Sequence, residues 1–337
     1  MSNQAKNQVI LTGDRPTGSL HIGHYFGSLL NRQKYQDEYQ TYIMVADVQA
    51  LTDNWDNPEK VRKNVFEVAA DNMALGLKSE TNLFIQSQIP QIAELTIFFS
   101  NLVTINRLKR NPTVKSEIEQ KKDKFGTEGE SVTFGFLGYP ISQAGDITVV
   151  RANVVPVGDD QLPVVEQTQE IVEKFNRIYK QEVFPYPKAL LSEAPRILGL
   201  DGNAKMSKSL NNCIYLKDDE ETTTAKIKVA KTDSHLELTF DEENRPEVSN
   251  LIKIYSLVNQ ISIAEAVQDL KGLNNSAFKQ KLATDMNVYF SEFRAKRLEI
   301  VNNPHLVWEK LEHGRQATLK EAEKTMSQLR KAMNIDY

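Results

Sequence analysis

Apolar residues follow two regimes along this chain. Up to about residue 190, short uninterrupted apolar runs alternate with longer amphipathic stretches; beyond Asp218, helical spacing takes over. Val9 to Leu11 is the first run, long enough for a buried strand, and Thr12 to Gly18, with two glycines and a proline, reads as a tight turn. From Ser19, a good N-cap, Leu20, Ile22, Phe26, Leu29 and Leu30 recur at helical spacing. Thr41 to Ala46 and Asn82 to Gln86 read as second and third buried strands, with an amphipathic helix from Pro58 to Leu77 between them. Glu94 to Leu108 is expected to be helical, Asn153 to Val157 to be a fourth strand, and Leu162 to Tyr179 a further helix. Pro185, Pro187 and Pro195 mark a boundary, and Asp201 to Ser209 is a polar loop. The later segments 219–231, 249–259, 262–271, 276–301 and 305–333 read as helices. The fold class expected is therefore α/β: a doubly wound parallel sheet, Rossmann-like, over 1–200, a loop over 201–217, and an all-helical region over 218–337.

Charge and composition narrow the function classes. The 41 Lys and Arg against 45 Asp and Glu give a net charge of -4, so a nucleic-acid surface would have to be a local patch. Lys109, Arg110, Lys115, Lys121, Lys122 and Lys124 form one basic stretch, read either as a solvated mobile face or as a flap touching phosphates. A single cysteine, Cys213, excludes an internal disulfide and a cysteine zinc site, and fits a cytoplasmic protein. No apolar run approaches the roughly 20 residues of a membrane span, and the polar start is expected to carry no signal peptide.

Strand, glycine-bearing turn and helix start is a geometry that binds phosphate, because N–H groups and the helix dipole both favour an anion. Here the helix start carries His21-Ile22-Gly23-His24, two histidines three apart on one face, with Gly23 leaving room for a ligand against the backbone. Gly158-Asp159-Asp160-Gln161 follows the fourth strand at the sheet edge where ligands sit in such folds. Pro140 suits a first helical turn, which puts Tyr139, Gln143 and Asp146 on one helix face. Asp47 and Gln49 read equally as ligand groups or as a strand-end turn. His235, His305 and His313 show no metal-ligand spacing, and no resident metal site is expected.

Taken with Lys205-Met206-Ser207-Lys208-Ser209, these stretches resemble the signature motifs of class I aminoacyl-tRNA synthetases, in the family's order and context. Within that class, Thr12 to Gly18 and Val155 to Gln161 resemble the tryptophan-specific family over essentially the whole length. The resemblance implies ATP and Mg²⁺, L-tryptophan and tRNA(Trp) as partners, a homodimer, and an anticodon-reading helical domain. It implies catalysis by His21, His24, Lys205 and Lys208. It implies ATP contacts from Arg15, Pro16, Thr17, Gly23, Gly158, Asp159, Asp160, Ile197, Met206, Ser207 and Ser209. Asp146 would accept the indole N–H, Tyr139 and Gln143 would flank the amino acid, and Gln161 would reach its ammonium or the ribose. Two positions depart from the tryptophan family: Gln143 stands where many members carry methionine, and Val164 where many carry histidine. Against the tyrosine alternative, Leu11 stands where those enzymes place a phenol-binding tyrosine. Arg15, where many relatives have glutamine, either adds charge near the triphosphate or pairs with Asp14. A nucleotidyltransferase and a non-charging relative that binds tryptophan or its adenylate are the other readings.

Overall fold

The computed structural model describes residues 8–121, 126, 131–191, 197–202, 206, 210, 212–235 and 237–337. Its centre is a parallel sheet of β1 (Val9–Asp14), β2 (Gln40–Val45), β3 (Asn82–Ile85), β4 (Val154–Val157) and β5 (Lys188–Leu191), in the order β3-β2-β1-β4-β5. Successive residues of β2 face opposite ways. Ile43 and Val45 enter one apolar cluster, while Tyr42 and Met44 enter the other. Both faces of the sheet are buried, which is why the strands read as continuous apolar runs.

Chain order reverses between β1 and β4, so the crevice above their carboxyl ends is the switch point where such sheets take ligands. β1 pairs with β2 through six residues but with β4 only at Ile10 and Val154, so the two central strands part toward that crevice.

Several boundaries differ from the sequence reading. β1 runs on through Thr12 to Asp14, where a turn is expected, because it pairs with β2 to its end. β5 falls inside the expected boundary region; flanking prolines and partly exposed side chains mask a four-residue edge strand. The helix expected over Glu94 to Leu108 divides into α4 (Gln91–Ser100) and α5 (Ile105–Lys109), the second restarted by the Thr104 cap on the Arg107 N–H. The helix expected over 276–301 divides into α13 (Asn275–Tyr289) and α14 (Ser291–Asn302) at Phe290, whose burial keeps the apolar period while its backbone leaves the helical region.

The remaining helices on the sheet side are α1, α2 (Asp47–Leu51), α3 (Pro58–Ala74), α6 (Pro112–Gln120), α7 (Phe134–Leu137), α8 (Tyr139–Val149) and α9 (Leu162–Tyr179). Helix α1 is composite: Ile22–His24, a wide π turn over Tyr25–Leu29, then Leu30–Glu38. The helical half adds α10 (Glu220–Val229), α11 (Pro246–Asn259), α12 (Ile263–Asp269) and α15 (Pro304–Met333).

The two halves share a core. Tyr25 of the π turn packs edge-on against Phe290 and Phe293, with ring centroids 4.8 and 5.8 Å apart. Arg297 of α14 donates to Asp71 and Glu67 of α3. Helix α15 then returns across edge strand β3. A Cβ on Gly314 would lie 1.9 Å from the Leu83 carbonyl oxygen, so only glycine lets helix and strand backbones meet. Val307 and Leu311 of α15 enter one cluster, Ala322, Met326 and Leu329 the other, so the helix wraps the edge from face to face.

Candidate active site

The first wall of the crevice is the turn after β1. Asp14 does not pair with Arg15, one of the two roles expected there. It is held by Arg32, a fully buried arginine of α1, at 2.6 and 3.1 Å, and by the Asn72 amide at 3.2 Å. Burial pushes the Asp14 carboxyl up, but the Arg32 charge and hydrogen bonds outweigh it and leave it below its ordinary value. Arg15 pairs instead with Asp53, which also takes Lys121 at the end of α6. Burial raises Asp53, and Arg15 and Lys121 outweigh it, so this carboxyl too is lowered. Pro16 is buried; Thr17 closes a tight turn, its N–H donating to the Arg15 carbonyl at 2.8 Å.

The helix begins later than Ser19. His21 is the N-cap, and His24 Nδ1 accepts the His21 backbone N–H at 3.3 Å, closing the first turn. Their ring centroids lie 3.8 Å apart, so the two imidazoles form one unit at the positive end of α1. Gly23 leaves the space between; a Cβ there would stand 2.9 Å from the His21 ring and 3.8 Å from the Met206 Cβ. Met206 is therefore brought to the helix start.

Lys205, Ser207, Lys208 and Ser209 lie outside the described residues. The segments flanking them are well fixed. Leu200 N–H donates to the Asn212 carbonyl at 2.9 Å, joining the described segments on either side of them. Just past Asn212, Ile214 accepts from Ile22 at 3.0 Å and Leu216 donates to Leu20 at 3.0 Å. The chain leaving the loop is thus zipped to the backbone on either side of His21. Ile197 is buried, and Asn250 of α11 holds the next residue, donating to the Leu198 carbonyl at 3.0 Å and accepting its N–H at 2.8 Å.

The second wall follows β4. Gly158, Asp159 and Asp160 are exposed at the mouth, and Gln161 is half-buried, its amide donating to Asp160 Oδ2 at 3.3 Å. The Thr113 hydroxyl of α6 donates to the Asp160 carbonyl at 2.7 Å, which ties the basic stretch to this wall. Of that stretch, Lys109, Arg110 and Lys115 are exposed, Lys121 is paired, and Lys122 and Lys124 lie outside the described residues.

Helix α8 forms the floor, entered through Pro140 in its first turn. Tyr139 is buried among Val114, Phe136 and Val164, its hydroxyl without a hydrogen-bond partner among the described residues. Burial, then the nearby Glu117 charge, raises that hydroxyl. Gln143 is half-buried one turn on.

Asp146 is buried against the ends of β2 and β3. Its one hydrogen bond among the described residues comes from Gln86, whose Nε2 donates to Oδ1 at 2.8 Å. Burial raises this carboxyl to about 7; the Gln86 bond lowers it and the Asp47 charge raises it by smaller amounts. From sequence, Gln86 reads only as the last position of the third strand, with nothing to mark it as a site residue. Its own Oε1 accepts the Gln49 backbone N–H at 2.9 Å. Asp47 serves the turn rather than an open site: it accepts the Ser87 N–H at 2.9 Å and the Ser87 hydroxyl at 2.6 Å. Leu11 is buried in the apolar cluster on the α8 side.

The site thus has an anion-favouring helix start, a carboxylate-lined mouth and a buried acceptor on its floor. A family model described as tRNA synthetases class I (W and Y) matches residues 3–291. The tryptophan–tRNA ligase of Lactococcus lactis is 43% identical over 342 residues, covering 98% of both chains. That of Clostridium longisporum is 42% identical over 342 residues with the same coverage. The structure of tryptophanyl-tRNA synthetase from Campylobacter jejuni complexed with ADP and tryptophan matches with a TM-score of 0.82 at 29% identity, over 97% of this chain and 100% of that one. A tyrosyl-tRNA synthetase from Archaeoglobus fulgidus shares the fold with a TM-score of 0.65 at 20% identity, over 86% of this chain and 90% of that one.

Proposed function

The chain belongs to the class I tRNA synthetases of the tryptophan and tyrosine type, and from that premise we propose how its residues divide the work of a tryptophan–tRNA ligase. The reaction joins L-tryptophan to tRNA(Trp) at the expense of ATP. The tryptophan carboxylate attacks the α-phosphorus of ATP, and pyrophosphate leaves with the bond electrons. A terminal ribose hydroxyl of the tRNA then attacks the adenylate carbonyl and AMP departs.

Asp146 is the observation that carries the substrate reading: a buried acceptor held by a single neutral amide suits an indole N–H. Phenylalanine would leave the oxygen of that carboxylate not held by Gln86 without a donor, at a cost of about 1–3 kcal/mol. Leu11, being apolar, offers nothing to a phenol. Tyr139 and Gln143 flank the amino acid, and Gln161 reaches its ammonium or the ribose.

On the nucleotide side, His21 and His24 with the N–H groups of α1 face the charge that grows on the departing phosphates, and Lys205 and Lys208 are assigned to stabilise the same charge. Arg15, Pro16, Thr17 and Gly23 line the phosphates and Ser207 and Ser209 assist from the loop, while Met206 seats it against Gly23. Gly158 and Asp159 contact ATP, Asp160 reaches its ribose, and the Ile197 backbone the adenine. Mg²⁺ would enter with ATP and would be held mainly by phosphate oxygens and water. Among the described residues, no three His, Cys, Asp or Glu converge as a resident cage.

Residues 1–200 serve as the catalytic domain, 201–217 as the segment carrying the lysine motif and 218–337 as the anticodon-reading domain, with α15 packed back on the sheet. We assign a homodimer through the α/β region. Ile97 and Phe134, 64% and 74% exposed, are apolar side chains such a contact would cover. The cytoplasm is the compartment, consistent with a lone buried cysteine; among the described residues no helix is long and apolar enough to cross a membrane. Tryptophan-dependent exchange of labelled pyrophosphate into ATP tests the reading. Exchange with tyrosine instead would overturn the substrate, and exchange without charging of tRNA would mark a non-charging relative.

A further inference from the structure

We propose that Gln86 is a specificity-determining positioning residue: it fixes which oxygen of Asp146 meets the indole N–H. The inference rests on Asp146 as the indole acceptor and goes beyond it.

Gln86 is 1% exposed and bridges two partners. The Gln49 backbone N–H donates to its Oε1 at 2.9 Å, and its Nε2 donates to Asp146 Oδ1 at 2.8 Å. The amide is therefore locked. Flipping it would set N–H against N–H at Gln49 and oxygen against oxygen at Asp146, leaving buried polar groups opposed at both ends. With Gln86 locked, Oδ1 is always engaged, and Oδ2 is the oxygen left to receive a donor.

The choice of an amide matters as well. A guanidinium at this place would take both carboxylate oxygens, as Arg32 does with Asp14. A neutral amide with one N–H on the carboxylate orients it and leaves most of its accepting capacity unspent. Burial then makes that remaining capacity costly to leave unfilled, which favours the substrate that brings a donor.

The experiment is pyrophosphate exchange on the full-length enzyme with tryptophan and with β-(3-benzothienyl)alanine, which keeps the ring shape but has sulfur in place of the indole N–H. Gln86→Leu removes both bonds, and Gln86→Asn keeps an amide too short to span both partners. Each variant is expected to raise KM for tryptophan about tenfold, while KM for the analogue and for ATP stays within twofold. A purely structural role would move all three together. Asp146→Ala is the reference. If it collapses the tryptophan preference and both Gln86 variants keep it, the positioning role is overturned and the acceptor stands. If Asp146→Ala also keeps the preference, the acceptor reading itself falls. Should Gln86→Leu fail to fold, Gln86→Asn decides alone.

Discussion

Asp14 and Asp146 are two enclosed carboxylates near the carboxyl edge of one sheet, and their surroundings treat them oppositely. Asp14 meets a buried guanidinium that takes both of its oxygens, and its carboxyl is lowered. Asp146 meets a neutral amide on one oxygen, and its carboxyl rises to about 7. The first has spent its accepting capacity within the chain and works as scaffold for the turn before His21. The second is held in place with capacity to spare. A buried carboxylate marks a site when its partner orients it without neutralising it.

The largest effect expected is on the scaffold side. Arg32→Met strands the buried Asp14 carboxylate and should lower stability by about 3–5 kcal/mol in urea unfolding, with Asp14→Asn added to the same chain restoring part of it. A loss under 1 kcal/mol would end the contrast. Next comes Asp146→Ala, which should reduce kcat/KM for tryptophan in pyrophosphate exchange roughly 10–100-fold.

A smaller effect separates the two by pH. The folded chain holds the Asp146 proton up to about pH 7, whereas the unfolded chain releases it near the ordinary 3.8. Its contribution to stability is full below the lower value and is lost as pH rises through the higher one. Asp14 runs the other way: its contribution is present above the ordinary value and lost as pH falls below it. Urea unfolding across pH 4 to 8 should show the Asp146 slope, absent in Asp146→Asn. In the same range, tryptophan binding followed by fluorescence should weaken below about pH 7, as the acceptor takes up its proton beside the Asp47 charge. The smallest change is Asp47→Ala, which loosens the turn at Ser87 and should cost about 1 kcal/mol with tryptophan KM altered less than threefold.

Much of the architecture was legible because the two periods, continuous apolar runs and helical spacing, separate cleanly in this chain. Val9 to Leu11, Thr41 to Ala46 and Asn153 to Val157 are strands buried on both faces and advertise themselves. Lys188 to Leu191 does not, being short, partly exposed and preceded by Pro185 and Pro187. The break at Phe290 is silent because a buried phenylalanine preserves the apolar rhythm that a helix of 276–301 needs. At the site, the paired histidines stand out because such a pair at a helix start is unusual. Arg32, Asn72 and Gln86 do not, because each gains its meaning only from a partner 18, 58 or 60 positions away. Asp53 likewise becomes part of the mouth only through Arg15 and Lys121.

The contact of Gly314 with Leu83 has a consequence for synthesis. Edge strand β3 leaves the ribosome about 230 positions before the helix that covers it. At roughly 5–20 residues per second, its flank stays uncovered for about 10–50 s, an open ladder that a second nascent chain can join. Replacing Gly314 with a larger residue would make that exposure permanent in the finished protein, turning a transient hazard of birth into a lasting one.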